Sequence, residues 1–360
     1  MKHIEPQELH RYEQYSRRTP SFGRSSSVSL LWEREIKRFL LPLRQEGASV
    51  DAWLRRLDAA VENSDFAFQS LKPRLGAQWL RLAFLLDIVR YGVIALAARA
   101  TRFVSSRPFE HAQALCFLHR RGMLRSYFLF INSIGIVSSM QVARYYYYLM
   151  SLKRFGELNE NRPLQFLEIG AGAGGFALMA FGQLHIARYV VIDLPEMIGY
   201  ASYQFLRYRP DIRVVYPHEF TPESLTGSEH STAPTIFFIT PEQAAALPDD
   251  FFDVTLNCYS FSEMEYAVIV SYFSLVYRVG APRSIFFHVN RFQLREQRDG
   301  VVAENNPFLF PYCGDDEVLH FSIDRFYATT RGGIGIFPKP TVMSVRRIKP
   351  GKTIPRAHFL

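Results

Sequence analysis

The stretch Leu164-Gln-Phe-Leu-Glu-Ile-Gly-Ala-Gly-Ala-Gly-Gly175 is an apolar run ending in Glu-x-Gly-x-Gly-x-Gly, and it constrains the fold more than any other part of the chain. Glycines at 170, 172 and 174 remove the side chains that would keep a ligand from lying against the backbone where a strand turns into a helix. A second apolar run, Arg188-Tyr-Val-Val-Ile-Asp193, ends in a carboxylate. Its place about twenty residues beyond the glycines suits a βαβ unit in which that acid accepts hydrogen bonds from a ribose diol.

A glycine turn alone leaves three readings open: a dinucleotide site, another nucleotide-cofactor site, or a turn whose glycines serve packing only. Glu168 stands two residues before the first glycine, where the dinucleotide fingerprint requires no carboxylate. A carboxylate there suits a cofactor with a cationic end and would repel a pyrophosphate.

The rest of the chain reads as alternating elements. Apolar residues recur at helical spacing from Leu30 to about Leu158, as in Trp32, Ile36, Phe39 and Leu40, which predicts five or six helices. The last of these, Met140 to Met150, carries four consecutive tyrosines and reads as packing on the following domain or as substrate contact. Strands are expected at Arg213–Tyr216, Thr235–Thr240, Phe252–Asn257 and Ser284–Asn290, with helices at Pro195–Tyr208 and Ser262–Val279, the latter stopped by Gly280. This alternation predicts an α/β, doubly wound parallel sheet with ligands at the carboxyl ends of its strands. Three segments follow: a loosely ordered 1–29, a helical cap or dimerisation region over 30–160, and a cofactor-binding catalytic domain over 161–360.

Composition narrows the partners. The net charge of +8 is spread over scattered clusters, Arg17-Arg18, Arg120-Arg121 and the tail from Lys339 to Arg356, so it predicts solvated surface and no nucleic acid. Met1–Tyr12 is polar and lacks the pattern of a secretory signal. The most apolar stretch, Trp79 to Arg99, carries Arg81, Asp87, Arg90 and Arg99, which makes membrane insertion costly and predicts a buried or partner-facing helix pair, with a homodimer as the expected assembly. The three cysteines match no metal or redox spacing, in keeping with a cytoplasmic protein.

Several groups are candidates for chemistry. The loop Cys258-Tyr-Ser-Phe-Ser-Glu-Met-Glu265 follows a strand end and places Glu263 as a general base; Ser260-x-x-Glu263 also reads as a capping box. His288, with Asn290 and Arg291 at the same strand's end, forms a second set, although a histidine within an apolar strand also reads as core. His218-Glu219 is a third acid/base pair. Gly314-Asp-Asp-Glu317 reads as a cation site or a solvated charge run, and no metal is expected to take part.

The segments Phe166-Leu-Glu-Ile-Gly-Ala-Gly-Ala-Gly-Gly-Phe, Val191-Ile-Asp-Leu-Pro-Glu-Met, Asp253-Val-Thr-Leu-Asn-Cys-Tyr-Ser-Phe-Ser-Glu-Met and Phe287-His-Val-Asn-Arg together resemble the sugar O-methyltransferase family of natural-product and polysaccharide gene clusters. The resemblance covers Leu164 to Arg291 and, more loosely, the helices before it. It implies a Rossmann-like class I methyltransferase fold, S-adenosylmethionine as methyl donor and a small-molecule acceptor hydroxyl on a sugar. Glu168, Gly170, Ala171, Gly172, Gly174, Asp193 and Leu194 are then expected at the cofactor, with Thr240, Glu242 and Gln243 near its adenine. Tyr259, Ser260, Ser262, Asn290 and Arg291 are expected at the acceptor, and Glu263, His218 and His288 as candidate bases. A non-sugar acceptor, a non-catalytic scaffold on the same fold and an oxidoreductase are the competing readings.

Overall fold

In the computed structural model, the residues described are 6–18, 107–136, 138–158, 161–227, 233–296, 302–326 and 341–349. The stretch 19–106, on which most of the expected cap and dimerisation surface falls, lies outside them, as does Trp79–Arg99. No helix among the described residues is long and apolar enough to cross a membrane.

The elements run in the order α1 (Pro6–Arg18), α2 (Arg107–Arg120), α3 (Leu124–Ser133), α4 (Met140–Gly156), β1 (Leu164–Ile169), α5 (Gly175–Phe181), β2 (Ile186–Ile192), α6 (Pro195–Tyr208), β3 (Arg213–Val215), α7 (Pro222–Thr226), β4 (Thr235–Ile239), β5 (Phe252–Cys258), α8 (Tyr266–Val279), β6 (Gly280–Arg291), β7 (Gln293–Glu296), β8 (Val302–Asn305), β9 (Glu317–Ile323) and β10 (Thr341–Arg347). One eight-stranded sheet has the order β3-β4-β2-β1-β5-β6-β10-β9, while β7 and β8 pair separately. Strands β1 to β6 are parallel where they pair, and β10 lies antiparallel to both β6 and β9. From β1 the chain moves outward to β2 and β4, then returns to β5 on the other side of β1. That reversal opens a crevice at the carboxyl ends of β1 and β5, where ligands of doubly wound sheets bind. The architecture is a Rossmann-like, doubly wound α/β fold.

Strand periodicity decides which layer each side chain joins, because successive residues point to opposite faces. Phe166, Tyr189, Val191, Phe238, Leu256 and Phe287 face a core shared with α1 to α6. Leu167, Ile169, Val190, Ile239, Phe252 and Phe286 face a second core shared with α7 and α8. Both faces are covered, so the strands read as continuous apolar runs. The first core is continuous from α2, α3 and α4 into the sheet.

Four expectations are corrected. Pro6–Arg18, within the segment expected to be loose, is helical: Tyr12 and Tyr15 are buried against α6, with hydroxyls donating to the carbonyls of Gly199 (3.1 Å) and Pro195 (2.6 Å). The helix expected from Ser262 starts at Tyr266, after a short 3-10 turn at Ser260–Glu263. Gly280 stops α8 as expected, but β6 starts there and not at Ser284, and a Cβ on Gly280 would lie 2.5 Å from Ser284 Oγ. The antiparallel β9 and β10 went unread because β10, Thr-Val-Met-Ser-Val-Arg-Arg, has neither helical spacing nor clean alternation; its first five residues are buried on both faces between β6 and β9.

The sheet core should dominate stability. Phe166 is fully buried and stacks on Tyr189 at 5.4 Å between centroids. Phe166→Ala is expected to cost about 3–5 kcal/mol in chemical denaturation. Val318→Ala, on the half-exposed face of edge strand β9, should change stability by less than about 0.5 kcal/mol.

Candidate active site

The crevice begins where β1 ends. Gly170, Gly172 and Gly174 all take left-handed backbone angles, with φ of 74°, 57° and 73°. At Gly170 the requirement is twofold, because a Cβ would also fall 2.2 Å from Ser260 Oγ. At Gly172 nothing lies within 4 Å of where a Cβ would stand, so the bare backbone faces open space. Its amide donates to Asp193 Oδ2 at 2.7 Å, tying the glycine turn to the end of β2.

Two acids flank this turn. Glu168 is buried and accepts a hydrogen bond from the Tyr189 hydroxyl at 2.7 Å. Burial pushes its carboxyl up to about 8, against the Tyr189 bond and with help from the charge of Asp193. Asp193 Oδ1 accepts from Leu194 N at 2.8 Å. Burial pushes Asp193 up to about 7 even though backbone amides pull it down, and the nearby Glu263 charge adds to the rise. Ala171 is buried inside the loop, and Leu194 is the N-cap of α6. Thr240 and Gln243 form the turn after β4: Gln243 Oε1 accepts from Thr240 N at 3.0 Å, and its Nε2 donates to Pro217 O at 2.8 Å. Glu242 points to solvent.

Across the crevice, the end of β5 is held by a buried amide network. Asn257 Nδ2 donates to Ile169 O at 2.8 Å, and its Oδ1 accepts from Asn290 Nδ2 at 2.9 Å. Ser260 Oγ accepts from Asn257 and donates to Ile169 O at 2.9 Å, so Ser260 bridges two strand ends and does not cap a helix. Asn290 Oδ1 accepts from the amide and hydroxyl of Ser262 at 3.2 Å each. Asn290 and Ser262, expected against the acceptor, are fully buried and brace the loop from below. What that loop presents is Tyr259 and Glu263. The Glu263 carboxylate sits at the edge of burial, 9% exposed, with Arg291 Nη2 3.3 Å from its Oε1.

The two histidines separate from this cluster. His288 is fully buried; Tyr312 OH lies 2.8 Å from its Nε2, and Asn290 Nδ2 lies 3.4 Å from its Nδ1. Because Tyr312 OH also donates to Pro307 O at 2.8 Å, the consistent tautomer carries its proton on Nε2. Burial, with the Arg346 charge, pushes its pKa down to about 3, so the ring is neutral within the core. His218 packs beside the stacked pair Tyr15 and Tyr216, beyond edge strand β3. That is four strand spacings from β5, on the order of 19 Å, so His218 is set apart from Glu263. Its neighbour Glu219 is clamped by Arg11 at 2.6 Å. Likewise Asp316 accepts from Tyr277, and Glu317 pairs with Arg347.

Helix α4 supplies side chains that the sequence reading left between packing and contact. The Tyr148 hydroxyl donates to Asp324 Oδ2 at 2.6 Å and accepts from Tyr259 OH at 2.7 Å. These bonds hold Tyr259 at φ 73°, a left-handed conformation that costs a non-glycine residue about 1–2 kcal/mol. Tyr145 packs on the first turn of α5, where a Cβ on Gly175 would lie 2.7 Å from its ring. Arg144 lies with its guanidinium 4.6 Å from the Tyr259 ring centroid and 5.3 Å from that of Tyr145. The run Arg144-Tyr-Tyr-Tyr-Tyr148 was the available signal, but helical spacing alone does not say which of these rings faces the crevice.

No protein-family model matches the chain, and no curated protein does. Among solved structures, it is similar to an S-adenosylmethionine-dependent methyltransferase from Mesorhizobium loti (13% identity, 55% of this chain and 96% of that one, TM-score 0.37). It is also similar to a SAM-dependent methyltransferase from Leishmania major (13% identity, 66% and 82%, TM-score 0.38). A third is phosphoethanolamine N-methyltransferase 2 from Haemonchus contortus, solved with phosphomonomethylethanolamine and S-adenosylhomocysteine (14% identity, 69% and 60%, TM-score 0.40). Overlaps this loose add nothing to what the strand order shows.

The raised acids set a pH dependence. In the unfolded chain Glu168 and Asp193 ionise near 4.5 and 3.8, but in the folded protein only near 8 and 7. Between those limits the native state holds more protons, so stability falls as pH rises through that window. Thermal melts of the ligand-free protein across it should show this decline. Glu168→Gln, which stays neutral and can still meet Tyr189, should flatten the decline and raise the melting temperature at its alkaline end.

Proposed function

We propose that this chain is an S-adenosylmethionine-dependent O-methyltransferase acting on a hydroxyl of a sugar or sugar-bearing small molecule. The observation that carries the reading is the open backbone at Gly172, rimmed by Asp193 and Glu168, at the point where the sheet order reverses. Each oxygen of Asp193 already accepts one amide and keeps a further lone pair for a ribose diol. Glu168 is a buried acid suited to a cationic ammonium, and a bound cation would return it to the ionised form. The Thr240–Gln243 turn lies on the β4 side, where an adenine would be flanked.

When bound, S-adenosylmethionine supplies an electrophilic methyl group on a sulfonium. The work left to the protein is to orient an acceptor hydroxyl and remove its proton. Glu263 is placed for both: it follows β5, faces the charge of Asp193 across the crevice, and is steadied by Arg291. Ser262 and Asn290 serve it indirectly by fixing the 3-10 turn. Tyr259, at the start of the loop that carries Glu263, combines an aromatic ring with a hydroxyl and so suits a polyhydroxyl acceptor. The choice of a sugar comes from the motif resemblance, including Asp193-Leu-Pro-Glu196 and Asn257-Cys-Tyr-Ser-Phe-Ser-Glu-Met264.

Two measurements test this reading. Calorimetric titration with S-adenosylhomocysteine should show binding that Gly172→Val abolishes, since the new side chain would fill the open space; NADH should not bind. Undiminished affinity in Gly172→Val would remove the site assignment. For the chemistry, Glu263→Gln keeps the side chain's shape and an acceptor for Arg291 while losing basicity. Turnover with a methyl-accepting sugar should fall by about 10²–10⁴, with homocysteine-ligand affinity and melting temperature unchanged. An equally active Gln variant would leave Glu263 a structural residue.

A further inference from the structure

Arg144 is set apart from the other arginines that ion pairs hold among the described residues. Arg11, Arg162, Arg209, Arg278, Arg291 and Arg347 each pair with a carboxylate. Arg144 instead lies between the rings of Tyr145 and Tyr259, its Nε is shielded from solvent without a hydrogen-bond partner, and no carboxylate among the described residues pairs with it. Burial works against its charge, and its neighbours are the neutral side chains of Tyr259, Tyr145 and Tyr148, with Tyr145 as a side-chain hydrogen-bond partner. Stacking on aromatic faces offsets part of the desolvation, but a half-buried guanidinium whose Nε lacks a partner is left with donor capacity that an anion would satisfy.

Its surroundings say which anion. Tyr145 is seated on Gly175, the first residue of α5 after the glycine turn, and Tyr259 directly follows Cys258 at the end of β5. Burial pushes the Cys258 thiol up; the Glu168 charge adds to this and the Arg144 charge opposes it, so an acid and a base lie near one sulfur. The β1–β5 end of the crevice is therefore bounded by a carboxyl group and a guanidinium. That is the charge complement of a zwitterionic α-amino acid, with its ammonium toward Glu168 and its carboxylate toward Arg144. A guanidinium fork matches a carboxylate with two parallel hydrogen bonds.

We propose that Arg144 anchors the α-carboxylate of the amino-acid part of the cofactor, placing α4 in the cofactor site. This inference rests on the cofactor reading above. It assigns Arg144 a binding role, with Tyr145 and Tyr259 as the residues that position its fork.

The test compares S-adenosylhomocysteine with 5′-methylthioadenosine, which keeps the purine, ribose and sulfur but lacks the amino acid. In calorimetry or fluorescence titration, Arg144→Met should weaken S-adenosylhomocysteine by about 10- to 100-fold, the loss of one charge-assisted contact, and leave 5′-methylthioadenosine within twofold. Arg144→Lys keeps the cation without the fork and should lose an intermediate factor, and it serves in place of the Met variant should that one fail to fold. Equal weakening of both ligands would make Arg144 a structural residue and overturn the proposal. Unchanged affinity for S-adenosylhomocysteine together with a raised KM for a carboxylate-bearing acceptor would move the anion to the acceptor and overturn it as well. A wild-type protein that binds neither ligand would instead bring down the cofactor reading itself.

Discussion

The side-chain amide of Asn257 is the contact on which the site depends. Buried at the end of β5, it donates to the last carbonyl of β1 and accepts from Asn290 on β6, so one side chain closes three strand ends. Strand carboxyl ends at a reversal of sheet order have carbonyls with no ladder partner, and in a dry crevice each must be satisfied by a side chain. Asn257, Ser260 and Asn290 meet that demand together. Their bonds fix where the glycine turn leaves β1 and how the Tyr259–Glu263 loop leaves β5. Without that frame, neither the open backbone at Gly172 nor the carboxylate of Glu263 would have a defined position.

A second constraint is electrostatic. The crevice gathers Glu168, Asp193, Glu263 and Arg144 within a shell of tyrosines, and burial shifts the first two toward their neutral forms. Like charges and dehydration oppose the ligand-free arrangement, which is the usual condition of a site shaped for a charged ligand. Tyr148 and Asp324 carry a related burden, holding Tyr259 in a backbone conformation that few side chains adopt. Strain and unmatched charge thus concentrate on one end of the sheet, while the two apolar cores on its faces supply the stability.

Much of the fold was legible in the sequence because it is set by local pattern. Strands covered on both faces must be apolar throughout, so β1, β2, β4, β5 and the inner part of β6 stand out as runs, and Leu194-Pro195 marks the start of α6. The left-handed turn after β1 required glycine at 170, where both φ and the closeness of Ser260 forbid a side chain. Glu168 and Asp193 were legible because chain spacing alone carries them to the ends of adjacent parallel strands.

What the tertiary structure alone decided are the contacts between residues far apart in sequence. Local spacing made Ser260 and Glu263 a capping box, yet Ser260 is drawn to Ile169, ninety-one positions away, where it shares with Asn257 the last carbonyl of β1. His288, Asn290 and Ser262 looked like site residues at a strand end, but the neighbouring strand and Tyr312 close over them. Arg144 and the tyrosines beside it could face either way on a helix. Only the packing of α4 on α5 and on the end of β5 turns them to the crevice, since a helix's own periodicity fixes which residues share a face and leaves the choice of neighbour to the whole fold.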